Sequence, residues 1–228
     1  MIPLLLLARS FVRQNRWLLV AFVLWPFLLG AFTWSPQHGA NKVEVMEIVQ
    51  QEVFYGVAVV AFLASSAVYN EKRSRRIIAV LSKGISRGQY LCGLLLACSA
   101  FAAIYFAAVA GSVIWLVGTS APTLAACVCL FAQGFSAAFW AAALSLLFAA
   151  FLHPFLAAAI AGSAAFAPLA MSKPNAVIGS AATLMNSAGG LATNLVWPAL
   201  VAALLEGGAF TFVAIRIFAS RDVTMNIE

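Results

Sequence analysis

An all-α fold of membrane-crossing helices is what this sequence predicts, and three observations carry it. Of its 228 residues, 64% are hydrophobic and only 9% charged, against roughly 45–50% and 25% in soluble domains. Long runs carry no charge at all: the 85 residues Gly88–Ser172 contain no Asp, Glu, Lys or Arg. The 13 Lys and Arg residues gather in a few short stretches between those runs. A water-facing surface cannot be built from this composition. Disorder is excluded as well, because that class is poor in hydrophobics and rich in charge. The ten-residue alternation of a transmembrane β-barrel is not seen either. At about 20 residues per span the length allows roughly six crossings and leaves little for a soluble domain.

The elements follow in order. Arg9, Arg13 and Arg16 fall at i, i+4 and i+7, one face of a helix, so residues 3–15 are expected as an amphipathic helix lying at the membrane interface. Met1–Ala8 has no basic leader and no cleavage site, so no cleavable signal peptide is expected. Span 1 is expected at 17–34, uncharged and with Trp17 and Trp34 at its ends, where such rings favour the interface. Pro26 inside it predicts a kink whose freed carbonyl a neighbouring helix can satisfy. Lys42, Glu44, Glu47 and Glu52 make the following segment net acidic, and span 2 is placed after them at 53–70. The uncharged run divides at Gly118–Pro122 and at His153-Pro154, giving spans at 90–117, 123–151 and 155–172. Residues 174–194 are polar, rich in small residues and too weakly hydrophobic for a span. The last span is expected at 195–218.

Orientation follows from the basic residues. With the N-terminus inside, Arg9, Arg13, Arg16, six residues of the 71–89 loop, Arg216 and Arg221 are cytoplasmic, eleven in all. Only Lys42 and Lys173 remain outside. The split predicts a multi-pass protein of the cell (inner) membrane with both termini cytoplasmic.

Signatures of catalysis are nearly missing from the sequence. It has no Walker A loop, no H-E-x-x-H and no G-x-S-x-G. Its two histidines, His38 and His153, are expected on opposite sides of the membrane, and the four cysteines lie in apolar runs without the spacing of a zinc site. No enzyme activity, metal or cofactor is therefore expected on this chain, and no nucleic-acid partner.

Two features stand out. Glu206 lies near the middle of the last span, in Leu204-Leu205-Glu206-Gly207-Gly208. A carboxylate at that depth costs roughly 2.5–3.5 kcal/mol on insertion scales and ordinarily faces a cavity or a partner. It could line a translocation pathway, hold a helix interface, or sit protonated and bonded to its own helix; the adjacent glycines allow close helix approach or a local break. The second feature is the 71–89 loop, with six basic residues against Glu71, net +5. Ile77, Ile78, Val80 and Leu81 form an apolar stripe, Gly84 ends that short helix, and a new helix starts near Ser86. Such an element can dock something cytoplasmic.

These residues resemble the membrane (permease) subunits of ABC type-2 exporters. The family pattern is a Glu opening a charged turn, a short helix with a Leu-Leu pair, then Pro-Val-Ser-Arg and an aromatic entering span 3. Here Glu71, Val80-Leu81, Ile85-Ser86-Arg87, Tyr90 and Gly93 stand in register. The family's closing Phe-x-x-Arg-Asp is matched by Phe218-Ala-Ser-Arg221-Asp222, after a last span anchored by Trp197. Its usual Gly-Thr is Arg75-Arg76, its proline Gly84 and its second acidic position Ile78. The resemblance implies half of a dimeric pathway, completed by a second permease copy (the same chain or a similar one). Each copy would sit on an ABC ATPase subunit that binds the ATP and Mg. It implies a cytoplasmic coupling helix between spans 2 and 3, with Glu71, Arg73, Arg75, Arg76, Val80, Leu81, Ile85, Ser86 and Arg87 meeting the ATPase. Residues 174–194 would be short re-entrant helices closing an external gate. Two other readings stay open: a stand-alone secondary transporter or channel using Glu206, and a non-transporting assembly subunit of a membrane complex.

Overall fold

The computed structural model describes residues 2–33, 42–73, 86–170 and 179–220, and among these helices are the sole regular secondary structure. Eight α-helices follow in order: α1 Ile2–Gln14, α2 Arg16–Thr33, α3 Lys42–Arg73, α4 Arg87–Val117, α5 Ala121–Ala149, α6 Pro154–Phe166, α7 Ser180–Gly189 and α8 Trp197–Ser220, with a 3₁₀ turn at Ala167–Ala170. Four stretches are long and apolar enough to cross a membrane: Val43–Asn70, Arg87–Val117, Pro122–Ala149 and Trp197–Phe218. The pair Ala8–Gln14 and Arg16–Phe32, bent by 71°, makes a fifth if taken as one span.

Where helices begin and end follows local chemistry. Ser86 caps α4 reciprocally: its hydroxyl accepts from the Gln89 N–H at 3.2 Å, and the Gln89 side-chain oxygen accepts from the Ser86 N–H at 3.0 Å. The other end of α4 stops at Gly118, whose φ of 93° is open to glycine and strained for other residues. α5 begins behind Ser120 with Pro122 in its first turn, and His153 caps α6, Nδ1 accepting from the Phe155 N–H at 3.4 Å.

Two stretches differ from expectation. The helix expected from residue 53 begins at Lys42 instead. Val45, Val49, Val53, Val57 and Val60 are all buried, while Glu44, Glu47 and Gln51 face outward. One amphipathic period thus runs unbroken through the acidic segment. The stretch expected as a crossing at 155–172 holds only the 13-residue α6 before Ala167-Pro168 tightens the chain into a 3₁₀ turn. Proline has no N–H to continue the α ladder there.

α5 is the hub, packing against α3, α4, α6, α7 and α8, while α1 and α2 lie against α4. Inside a bilayer the hydrophobic effect does not drive helices together, so close packing and interhelical hydrogen bonds must. The small residues Ala137, Ala141, Ser145 and Ala149 are all buried, and the Ser145 hydroxyl donates to the Ala61 carbonyl of α3 at 2.6 Å. Their four-residue spacing therefore serves the α3–α5 seam. The small residues Ala103, Ala107 and Gly111 on α4, at the same spacing, face elsewhere: Gly111 lies toward Phe27 of α2, and Ala107 is exposed. Two adjacent rings of α4 occupy glycine seats. A Cβ on Gly56 would lie 2.3 Å from Tyr105 Cε1, and one on Gly134 would lie 2.4 Å from Phe106 Cε1.

Phe106 is fully buried and has nowhere to retreat. Gly134→Ala is expected to destabilise the bundle by about 1–3 kcal/mol, the usual cost of overpacking, seen as a lower midpoint of thermal unfolding in detergent. Gly208→Ala, with nothing within 4 Å of its Cβ, is expected to leave the midpoint unchanged or slightly raised.

Candidate functional site

Polar groups inside this apolar bundle converge at Glu206. Its Oε2 accepts from the Trp140 indole N–H of α5 at 2.6 Å and from the Ser180 hydroxyl of α7 at 2.8 Å. One carboxylate oxygen therefore joins three helices. The glycine beside it makes this possible: a Cβ on Gly207 would lie 2.7 Å from Phe139 Cε1 and 3.5 Å from Trp140 Cα. α8 runs unbroken through both glycines, so they serve close approach instead of a break. Phe210, one turn on, meets the Trp140 ring edge-on at 5.6 Å.

Ser180 is the first residue of α7, and its contact with Glu206 sets the level at which α7 begins. Glu206 is nine residues into α8 from Trp197, about 14 Å along the axis. The far end of α7 reaches α3, where a Cβ on Gly189 would lie 3.0 Å from Gln50 Cα. The chain then turns at Gly190 and at Leu191, whose φ is 49°, and Gln133 of α5 donates to the Asn194 carbonyl at 3.0 Å before α8 starts. α7 is thus a ten-residue helix inserted among α3, α5 and α8 and tied at both ends. Within the expected segment 174–194, residues up to 178 lie outside the described ones.

The basic loop is described only at its edges. Glu71 and Arg73 close α3, whereas Arg75, Arg76, Val80, Leu81 and Ile85 lie outside the described residues. Ser86 and Arg87 are described, and Arg87 makes a contact that no local pattern announces. Its Nη1 donates to the Phe218 carbonyl at the end of α8, 3.4 Å away and 131 residues distant in sequence. Gly88 fits beside it, a Cβ there lying 3.0 Å from Ile215 Cγ2. Arg87 and Phe218, one described residue from each of the two stretches that carry the resemblance, therefore meet in space.

Arg9 and Arg13 are exposed on α1, opposite the buried Ala8 and Phe11. Arg16 starts α2 with its guanidinium 5.5 Å from the centre of the exposed Trp17 ring. All four cysteines are free, and among the described residues no group of three or more His, Cys, Asp or Glu could hold a metal ion. An apolar cavity of about 280 Å³ opens between α2 and α3, lined by Leu18, Phe22, Trp25, Tyr55, Val59 and Tyr105.

Sequence reasoning missed Glu52, which is buried in α3 and bonded to Tyr105 of α4. It reads as the last acid of an exposed segment. Yet at 100° per residue it falls within the stripe of Val45, Val49, Gly56 and Val60, and that periodicity was the available signal. Trp140 and Ser180 carried no signal, since nothing local ties either residue to Glu206. No protein-family model matches the chain, and no curated protein matches it.

Interhelical hydrogen bonds in membranes average about 0.6 kcal/mol and reach about 1.7. Glu206→Ala is expected to cost about 1–3 kcal/mol in thermal unfolding and to free the start of α7, so that a Ser180→Cys probe labels faster with a water-soluble maleimide. Glu206→Gln, which keeps a side-chain oxygen for Trp140 and Ser180, is expected to keep most of the stability and the slow labelling.

Proposed function

We propose that this chain is the permease subunit of an ATP-driven exporter of the ABC type-2 kind, half of a dimeric pathway worked by a separate ATPase. The observation that carries this reading is the Arg87–Phe218 contact. It ties the exit of the basic loop to the foot of α8, and α8 carries the Glu206 that holds α7 and α5. A partner pressing on residues 71–87 would move α4 and α8 together, and α8 would pull on the start of α7. The chain has no nucleotide-binding motif, so ATP energy must arrive through such a contact.

In this reading the chain crosses the cell membrane six times with both termini in the cytoplasm. α2 is the first crossing, and α1 lies at the interface with Arg9, Arg13 and Arg16 among headgroups. α6, with the turn after it, is the fifth crossing, and α7 is a re-entrant gate helix on the outer side. An interrupted crossing of this kind is tolerated where its backbone is packed in protein, as α7 is between α3 and α5. The interior carries no charge cluster, which favours an amphiphilic, lipid-like or peptide-like cargo over a polyanion.

Gentle detergent extraction tests the pairing. The chain is expected to bring down an ATPase subunit, and charge reversal of Arg73, Arg75, Arg76 and Arg87 together is expected to reduce the recovered ATPase at least tenfold. Undiminished recovery would remove the coupling role of the loop. Gradient-driven flux in liposomes holding this chain alone, lost in Glu206→Gln, would replace the exporter reading with that of a secondary transporter.

A further inference from the structure

Among the described acidic and basic side chains Glu52 is the most deeply buried, with 1% of its surface exposed. The Tyr105 phenol oxygen lies 2.9 Å from the main-chain carbonyl of Glu52 and also in hydrogen-bond contact with Glu52 Oε2. Glu52 Oε1 is buried without a hydrogen-bond partner. The Tyr105 ring is seated on Gly56, one turn along α3.

Counting hydrogens favours the neutral form. A carboxylate only accepts, and a tyrosine hydroxyl brings one hydrogen. With Glu52 ionised, that single hydrogen must serve either the carbonyl or Oε2, and a full charge remains beside the unpartnered Oε1. Among the described side chains no Lys or Arg is placed against it, and Arg87, at the start of α4, reaches Phe218 instead. Of the helices packed against α3, α4 from Gly88 on, α5, α6 and α7 hold no Asp, Glu, Lys or Arg. α2 offers only Arg16, which is exposed against Trp17. On α3 itself Glu44, Glu47, Tyr55 and Tyr69 are exposed, and Tyr69 lies beside His153. Among the described side chains Tyr105 is thus the titratable one that reaches Glu52. Buried charges without a partner ordinarily give up their charge instead.

We propose that Glu52 is a proton-binding site built into the α3–α4 seam. It carries a hydrogen on Oε2 and donates it to the Tyr105 oxygen, while Tyr105 donates its own hydrogen to the Glu52 carbonyl. Each hydrogen then has one acceptor, and Oε1 becomes the oxygen of a neutral acid. Closing the seam takes one proton from water onto Oε2. Opening it to water lets that proton leave, with the charge then solvated. Any movement that parts α3 from α4 at this level is therefore linked to one proton, whatever the chain transports.

Infrared difference spectroscopy of the purified protein in lipid at neutral pH tests this. The natural chain is expected to show the carbonyl stretch of a protonated carboxylic acid, and Glu52→Gln is expected to lose that one band while keeping its helical circular dichroism. Tyr105→Phe, which removes the hydrogen-bond acceptor and keeps the ring on Gly56, is expected to shift the same band to higher frequency. It keeps the test open should the Gln variant not fold. A natural spectrum with no such band, or a band that neither substitution alters, would overturn the proposal.

Discussion

Two aromatic rings set into two glycines govern the spacing of this bundle. Tyr105 and Phe106 are neighbours on α4, yet one settles on Gly56 of α3 and the other on Gly134 of α5. Their rings stand edge-to-face at 5.3 Å. The pair thereby fixes how far α3, α4 and α5 can stand from one another. In a bilayer, where apolar side chains gain nothing by leaving lipid for protein, such shape fitting must take the place of the hydrophobic effect. The small residues of α5 complete the seam, and the Ser145–Ala61 bond gives it a register.

Around that core, several polar contacts join segments distant in sequence. Glu206 collects donors from α5 and α7, Gln133 holds the connection between α7 and α8, and Arg87 reaches the last turns of α8. α8 is the common member: its foot is tied to the entrance of α4 and its middle to the start of α7. Through α8 the start of α4 is thus connected to the start of α7.

Local features were legible because they depend only on neighbours in the chain. The arginine face of α1, the cap at Ser86 and the break at His153-Pro154 all follow from residues within one or two turns of each other. Glu52 escaped because hydropathy averages over a window, and Glu44 and Glu47 pull that average toward water. Helical phase would have separated them, since those two face outward while Glu52 shares the face of Val45 and Val49. The shortness of α6 escaped because an apolar run says nothing about whether Pro168 is met by an α or a 3₁₀ backbone.

Sequence alone determined that this is a helical chain with several stretches fit to lie in a membrane, and where its charge and helix starts fall. Composition and periodicity act over a few residues, so they need no knowledge of the fold. Only the tertiary structure decided that Arg87 meets Phe218, that Trp140 and Ser180 share one oxygen of Glu206, and that Tyr105 closes over Glu52. Each is a contact between distant segments, set by the shapes of glycines and rings that let particular helices approach. No local pattern records which helix will come near enough.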